Sequence, residues 1–254
     1  MSIRVTTSAG ICTIEIARPE KKNALTLAMY EAMTQALTTA STDDAVRVAL
    51  IAGQPGVFAA GNDLEDFLSA PPTSEDSPVL RFMRALQSFE KPVVAAVTGT
   101  AIGIGVTMLL HCDLVYVSRD AKLAMPFVSL GLVPEFGASL LIPRLIGHVK
   151  AAERLMLGTP FTGLDAVEMG IANAALPADE VLGHAREAAE RFTRLPAGAL
   201  RDTKRLMRAG LRNAVEQTIR DEVAVYAERL HSPEAKEAFS AFLQKRKSRA
   251  PDDR

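Results

Sequence analysis

Two spacings of apolar residues alternate along most of the chain. Residues 3–7 and 11–17 alternate apolar with polar around Ser8-Ala9-Gly10, which predicts a β-hairpin. From Ala24 to Ala40 the residues Leu25, Met29, Met33 and Leu37 fall on one helical face. Ser41-Thr42-Asp43-Asp44 breaks that pattern, and the apolar run Val46 to Ala52 has the length of a strand. Gly53-Gln54-Pro55-Gly56 predicts a turn, with Phe58 to Leu64 following as a strand end. The stretch Ser69 to Pro78, rich in proline and small polar residues, predicts a mobile loop. Helical spacing resumes through Met83, Leu86 and Phe89, Lys91-Pro92 stops it, and Val93 to Val97 reads as a strand. A helix near 104–111 leads to a strand at 114–117. Thr162-Gly163-Leu164-Asp165 has the form of a capped helix start, with Gly170 as its stop. After Pro177 the pattern is helical alone, over 179–194, 197–209, 212–230 and 233–247, with Pro196, Gly210 and Pro233 between. In the third of these, Val215, Ile219, Val223, Tyr226 and Leu230 share a face. Strand–helix alternation followed by helices predicts an α/β fold of stacked β/α units with a helical C-terminal region, not a hairpin-built sandwich.

One stretch competes with that reading. No formal charge occurs between Lys91 and Asp113, roughly 20 residues and enough to span a bilayer. It contains Gly99, Gly103 and Gly105, and its front half is β-branched, so a buried strand, a turn and a buried helix describe it better. The 254 residues carry 29 Lys+Arg and 30 Asp+Glu, a net charge of −1. That balance excludes the basic footprint of a nucleic-acid binder and a polybasic membrane face. Cys12 and Cys112 have no partners at metal-ligand spacing and read as reduced, buried thiols. The chain enters alternating sequence at once, without the apolar core of a signal peptide, and ends Pro251-Asp252-Asp253-Arg254 rather than in a peroxisomal tail. The expected location is the cytoplasm.

Several chemistries lack their residues. Gly103-Ile104-Gly105-Val106-Thr107-Met108 opens like a dinucleotide-binding turn but has Met in place of the third glycine. Walker, HExxH and G-x-S-x-G patterns are absent, and His111, His148, His184 and His231 are scattered. No metal or redox cofactor is expected. Three segments stand out instead. Ala59 to Leu64 is a strand end with small residues. Gly99 to Gly105 is a glycine-rich turn into a helix, whose first N–H groups have no internal partner and can face an oxyanion. Leu130-Gly131-Leu132-Val133-Pro134-Glu135-Phe136-Gly137 sets one carboxylate among apolar residues, where burial would raise its pKa toward that of a neutral-pH base.

Together these segments resemble the crotonase, or enoyl-CoA hydratase/isomerase, superfamily. The resemblance covers nearly the whole chain. It rests on Arg18-Pro19 followed by Asn23-Ala24-Leu25, on Ala60-Gly61-x-Asp63-Leu64, on Lys91-Pro92-Val93-Val94-Ala95-Ala96-Val97 leading into Gly99, on Cys112-Asp113-Leu114, and on Lys245-Arg246-Lys247. It implies a spiral of ββα units over residues 1–195, holding the acyl-CoA site, and a helical region over 196–254 that builds a homotrimer or a pair of trimers. It implies an acyl-CoA thioester substrate and an oxyanion hole made by the backbone N–H groups of Asn62 and Ile104. CoA would lie along Ala60, Asn62 and Leu64, with Lys22 as a further contact and Tyr226 and Lys245 reaching in from a neighbouring subunit.

The resemblance also separates members of the family. Hydratases use two glutamates, and the matching positions here are Thr107 and Phe127. Glu135 sits where peroxisomal-type Δ3,Δ2-enoyl-CoA isomerases carry a single base. Phe136 departs from the small residue usual there, which would narrow or reshape the acyl pocket. The expected pocket is formed by Thr107, Phe127, Leu132, Val133 and Phe136. The expected reaction is transfer of a proton from C2 to C4 of a 3-enoyl thioester by Glu135. The alternatives are a hydratase relying on Glu135 alone and an acyl-CoA-binding protein without turnover; the neutral charge disfavours RNA binding.

Overall fold

A computed structural model describes residues 2–69 and 76–247. The first half of the chain runs β1 (Ile3–Ser8), β2 (Ile11–Ile16), α1 (Leu27–Thr42), β3 (Val48–Ala52), β4 (Gly56–Ala59), α2 (Leu64–Ser69), α3 (Pro78–Ser88), β5 (Val93–Val97), β6 (Gly99–Ile102), α4 (Ile104–Thr107), β7 (Leu114–Ser118) and β8 (Lys122–Ala124). It continues through α5 (Ala138–Ile146), α6 (His148–Leu155), β9 (Phe161–Thr162), α7 (Gly163–Glu168), β10 (Ala174–Leu176), α8 (Val181–Thr193), α9 (Ala197–Ala209), α10 (Arg212–Leu230) and α11 (Pro233–Lys247).

One sheet has the order β1-β2-β3-β5-β7-β10 and the other β4-β6-β8-β9. From β3 to β8 the chain alternates between them. The neighbours β3/β5/β7 are parallel, and so are β4/β6/β8. Each turn of the chain thus lays one strand on each sheet, which is the expected ββα spiral. The sequence marks the larger sheet because both its faces are covered, giving continuous apolar runs rather than alternation. Val48 and Leu50 of β3 and Val94 and Ala96 of β5 pack toward Val181, Ala185 and Ala189 of α8. Ala49, Ile51, Ala95 and Val97 enter the main core with Met33 and Leu37 of α1.

The second sheet is less visible in sequence. The strands β4 and β6 are four residues each and bounded by glycine, so they read as turns. The helices α5 and α6 also went unread, because Pro143 inside α5 and Gly147 between the two interrupt the spacing. The uncharged stretch after Lys91 is β5, β6, α4 and one turn of 3-10 helix; among the described residues no helix is long and apolar enough to cross a membrane. Most of the expected mobile loop, residues 70–75, lies outside the described residues; its end, Ser77-Pro78, caps and opens α3. Cys12 and Cys112 are free thiols.

Asn23 ties the two sheets together. It is fully buried at φ 54°, in the left-handed region. Its Oδ1 accepts from Arg18 N at 2.7 Å, and its Nδ2 donates to Ile16 O, Val57 O and Phe58 O at 3.0, 3.2 and 3.0 Å. Asn23→Ala leaves those main-chain groups unpaired inside the protein and strains a backbone that asparagine tolerates, so it should cost about 3 kcal/mol or more. Urea unfolding of the variant against the wild type measures this.

The C-terminal helices pack back onto the α/β part. Lys204 and Arg208 of α9 both reach Asp113, at 2.7 and 3.0 Å, and Lys204 Nζ also donates to Lys91 O at 2.7 Å. Burial of Lys204 pulls its pKa down to about 8 despite Asp113.

Candidate active site

The end of β4 and the start of α4 form one half of the site. Leu25 N donates to Gly61 O and Asp63 N donates to Leu25 O, a parallel bridge opposite Asn62. That pairing turns the Asn62 N–H away from Leu25. On the neighbouring parallel strand, β6 ends in Gly103 at φ 55°, ψ −118°, a conformation open to glycine and closed to side-chain-bearing residues. Gly103 O takes the N–H groups of Val106 and Thr107 as α4 begins, and the Ile104 N–H at the first helical position has no helical acceptor. A methyl group on Gly105 would stand 2.6 Å from Ala59 O, so glycine there lets α4 lie directly against the end of β4. Asn62 thus follows the end of β4 and Ile104 the end of β6, two strands that pair in parallel.

The Asn62 side chain is fixed separately: Tyr30 of α1 donates its hydroxyl to Asn62 Oδ1 at 2.5 Å. Next to it, Arg18 and Asp63 pair at 2.6 Å. Burial works to raise the Asp63 carboxyl, but the Arg18 hydrogen bond and the N–H groups of Asp66 and Glu65 outweigh it and hold its pKa below the usual range.

Glu135 forms the other half. It is 6% exposed, and its Oε1 has no hydrogen-bond partner among the described residues. Burial first, and the charge of Glu222 second, push its pKa up to about 8. It borders a cavity of about 20 Å³, room for one water molecule, whose other walls are Val79, Leu80 and Met83 of α3 and Glu222, Val223 and Tyr226 of α10. The turn after it is unusual: Phe136 has φ 60° and its carbonyl meets His111 Nε2 at 2.8 Å. The Phe136 ring stacks on His111 with centroids 3.8 Å apart. Burial pulls the His111 pKa down to about 4, so the imidazole is neutral at physiological pH.

The structure distributes the expected site residues in three groups. Asn62 lies just past β4 and Ile104 opens α4, with Ala60 held by its N–H to Lys22 O at 3.1 Å and Leu64 at the start of α2. Lys22 is exposed. The side chain of Lys245 lies outside the described residues. Tyr226, expected as a CoA contact from another subunit, is 7% exposed within its own chain and lines the Glu135 cavity. The expected acyl-pocket set is also redistributed. Phe136 is a core residue packed on His111 and Phe82. The Phe127 ring lies beside Gly103. Thr107 is fully buried with its hydroxyl unpartnered, Leu132 is buried and Val133 half-buried. The cavity wall instead comes from α3 and α10, two helices that the spacing predicts and the resemblance does not place in the pocket. Glu222 and Tyr30 are the other additions; Glu222 carried a readable signal, since it follows Ile219 by three positions and precedes Tyr226 by four on the buried face of α10.

The ββα spiral, the glycine-rich junction of β4, β6 and α4 and the buried carboxylate of Glu135 are the features to set beside known proteins. Residues 6–252 match the enoyl-CoA hydratase/isomerase family model, and the chain belongs to that family. It is similar to "Enoyl-CoA delta isomerase 2" of Rattus norvegicus, 34% identical over 96% of this chain; the chain spans 64% of that relative's length. It is also similar to "Probable enoyl-CoA hydratase" of Bacillus subtilis (strain 168), 32% identical over 89% of each chain. Among solved structures, Pseudomonas aeruginosa OdaA superposes with a TM-score of 0.94 at 54% identity, covering 95% of this chain and 98% of the other. An enoyl-CoA hydratase/isomerase from Pseudoalteromonas atlantica T6c superposes with a TM-score of 0.92 at 36% identity, covering 96% and 98%.

Proposed function

We propose that the protein is a Δ3,Δ2-enoyl-CoA isomerase whose single base is Glu135. One observation carries this reading. Of the two carboxylates that border the cavity, Glu135 alone has an oxygen without a partner. Both Glu222 oxygens are engaged, one by Gly137 N at 2.6 Å and the other by Ser139 N and Ser139 Oγ at 2.9 and 2.5 Å. Hydration needs two groups to orient and deprotonate water, and the positions matching the hydratase glutamates hold Thr107 and Phe127.

The chemistry balances with one base. Glu135 Oε1 takes a proton from C2 of a 3-enoyl thioester. The C–H electron pair moves into the C2–C1 bond, and the carbonyl oxygen becomes an enolate held by the Asn62 and Ile104 N–H groups. The carbonyl then re-forms, the C1–C2 pair moves to make the C2–C3 double bond, the C3–C4 double bond breaks, and its electron pair takes the proton from Glu135 at C4. No electron leaves the substrate, so the reaction calls for no redox partner. Val79, Leu80 and Met83 of α3 and Val223 of α10 limit water beside the anion.

The test is the ratio of turnover on 3-hexenoyl-CoA to that on crotonyl-CoA, followed by ultraviolet absorbance of the conjugated thioester. Isomerase activity should exceed hydration by at least tenfold. Faster hydration of crotonyl-CoA would assign the protein to the hydratases, as the Bacillus relative's name would have it, and binding of both esters without turnover would leave a carrier role.

A further inference from the structure

We infer that Glu222, far from Glu135 in sequence, is a positioning residue for the base: it clamps the left-handed turn that carries Glu135 and sets a fixed negative charge behind it. The inference rests on the isomerase reading for its link to turnover, though not for its geometry.

The clamp is visible atom by atom. Gly137 has φ 75°, and Phe136 just before it has φ 60°, so two successive residues after Glu135 are left-handed. For phenylalanine that conformation is costly and persists only when the surroundings impose it. Two groups impose it. His111 holds the Phe136 carbonyl from inside the core, and Glu222 takes the Gly137 and Ser139 N–H groups from α10. The second contact also caps the N-terminus of α5, where Gly137 supplies no side chain. Without it, the His111 contact alone is left to hold the turn that carries Glu135.

The same carboxylate acts through space. Burial raises the Glu222 pKa above the ordinary carboxylate value, and the hydrogen bonds from Ser139 and Gly137 work against that shift. The other groups facing Glu135 are uncharged at neutral pH. They are the Tyr30 hydroxyl from α1 and the Tyr226 hydroxyl from α10, both pushed well above the ordinary tyrosine pKa by burial and the nearby acid. From α3 come only Val79, Leu80 and Met83, and the imidazole of His111 beyond Phe136 is neutral. The Lys204 and Arg208 cations act on His111 and are paired with Asp113. Burial is the larger cause of the raised Glu135 pKa, and among the groups facing it Glu222 is the charge that adds to it.

Infrared titration of the carboxylic-acid carbonyl stretch, run beside the pH profile of kcat/KM, tests this. In the wild type a protonated-carboxyl band should persist to near pH 8, and Glu135→Gln should remove it. In Glu222→Gln the band should remain, with its midpoint about one pH unit lower, and the acidic limb of kcat/KM should move the same way while KM changes less than threefold. A purely structural Glu222 would lower activity at every pH and leave both midpoints in place; that result overturns the inference. If Glu222→Gln does not fold, Ser139→Ala, which strips one donor from Glu222 and weakens its ionised form, should shift the midpoint downward by a smaller amount, and an unmoved midpoint there overturns it too. Should the wild type fail to isomerise 3-hexenoyl-CoA, the isomerase reading falls and the infrared midpoints still decide the role of Glu222.

Discussion

Glu135→Gln should lower kcat on 3-hexenoyl-CoA by about 10⁴-fold and leave CoA-ester binding nearly unchanged. A positioned acid–base group typically supplies 10²–10⁴-fold, and the upper end applies because one carboxyl both removes the proton and returns it. Steady-state kinetics and a thermal shift with a CoA ester separate the two effects. The same substitution should alter stability in a defined direction. The folded-state pKa of about 8 lies above the ordinary 4.5, so folding takes up a proton between those values. Stability from this group is complete below the ordinary value, falls by about 1.4 kcal/mol per pH unit as pH rises toward the folded value, and is flat above it. Glutamine carries no such proton. Urea unfolding at a series of pH values should show the variant gaining on the wild type from pH 5 to pH 8, and parallel curves across that window would mean that Glu135 is not held as described.

Gly105→Ala should cost about 10²–10³-fold in kcat with a smaller change in KM. Its methyl group would stand 2.6 Å from Ala59 O and 3.1 Å from Ala59 Cβ. The oxygen belongs to the backbone of β4 and cannot swing aside, so α4 must back away, carrying the Ile104 N–H from the Asn62 N–H. Loss of one donor from such a pair typically costs about 3–4 kcal/mol in the transition state. Substrate binding draws on the whole CoA moiety and feels this less. Gly183→Ala is the control: Gly183 is exposed on α8 with open space around it, and alanine there should be neutral or slightly stabilising. Equal loss of activity in both variants would detach the effect from the oxyanion hole.

The parts of this architecture written locally were legible before the structure. Hairpin β1–β2, strand β5 and the last three helices follow from spacing and punctuation within a dozen or so residues. The segments proposed for the oxyanion hole, and Glu135, carry short-range signs: a glycine-rich strand end, a glycine turn into a helix and a lone acid among apolar residues. What failed depended on distance. Glu222 meets Gly137 and Ser139 across 85 and 83 positions, and no local pattern names that partner. Tyr30 looked like one more residue of an amphipathic helix until its hydroxyl met Asn62, 32 positions on. The resemblance implies an acyl pocket with Phe127 and Phe136, yet the Phe136 ring packs on His111 and Phe82 in the core, and α3 and α10 line the cavity beside Glu135. Val223 was chosen for the buried face of α10, but the face is centred one residue earlier, on Glu222; a carboxylate does not look like a core residue until its donors are known.

The proposed oxyanion hole is made of main chain. A change in a codon replaces a side chain, and the N–H groups of residues 62 and 104 survive almost any such change that leaves the glycine contacts intact. The acid beside them enjoys no such protection, since one nucleotide can remove it or set another elsewhere on the rim. Inheritance on this scaffold is therefore uneven. The place that welcomes negative charge on a thioester oxygen passes down with the fold, while the proton-handling group can be lost at one position and regained at another. A lineage can exchange water addition for double-bond migration without rebuilding its most demanding part.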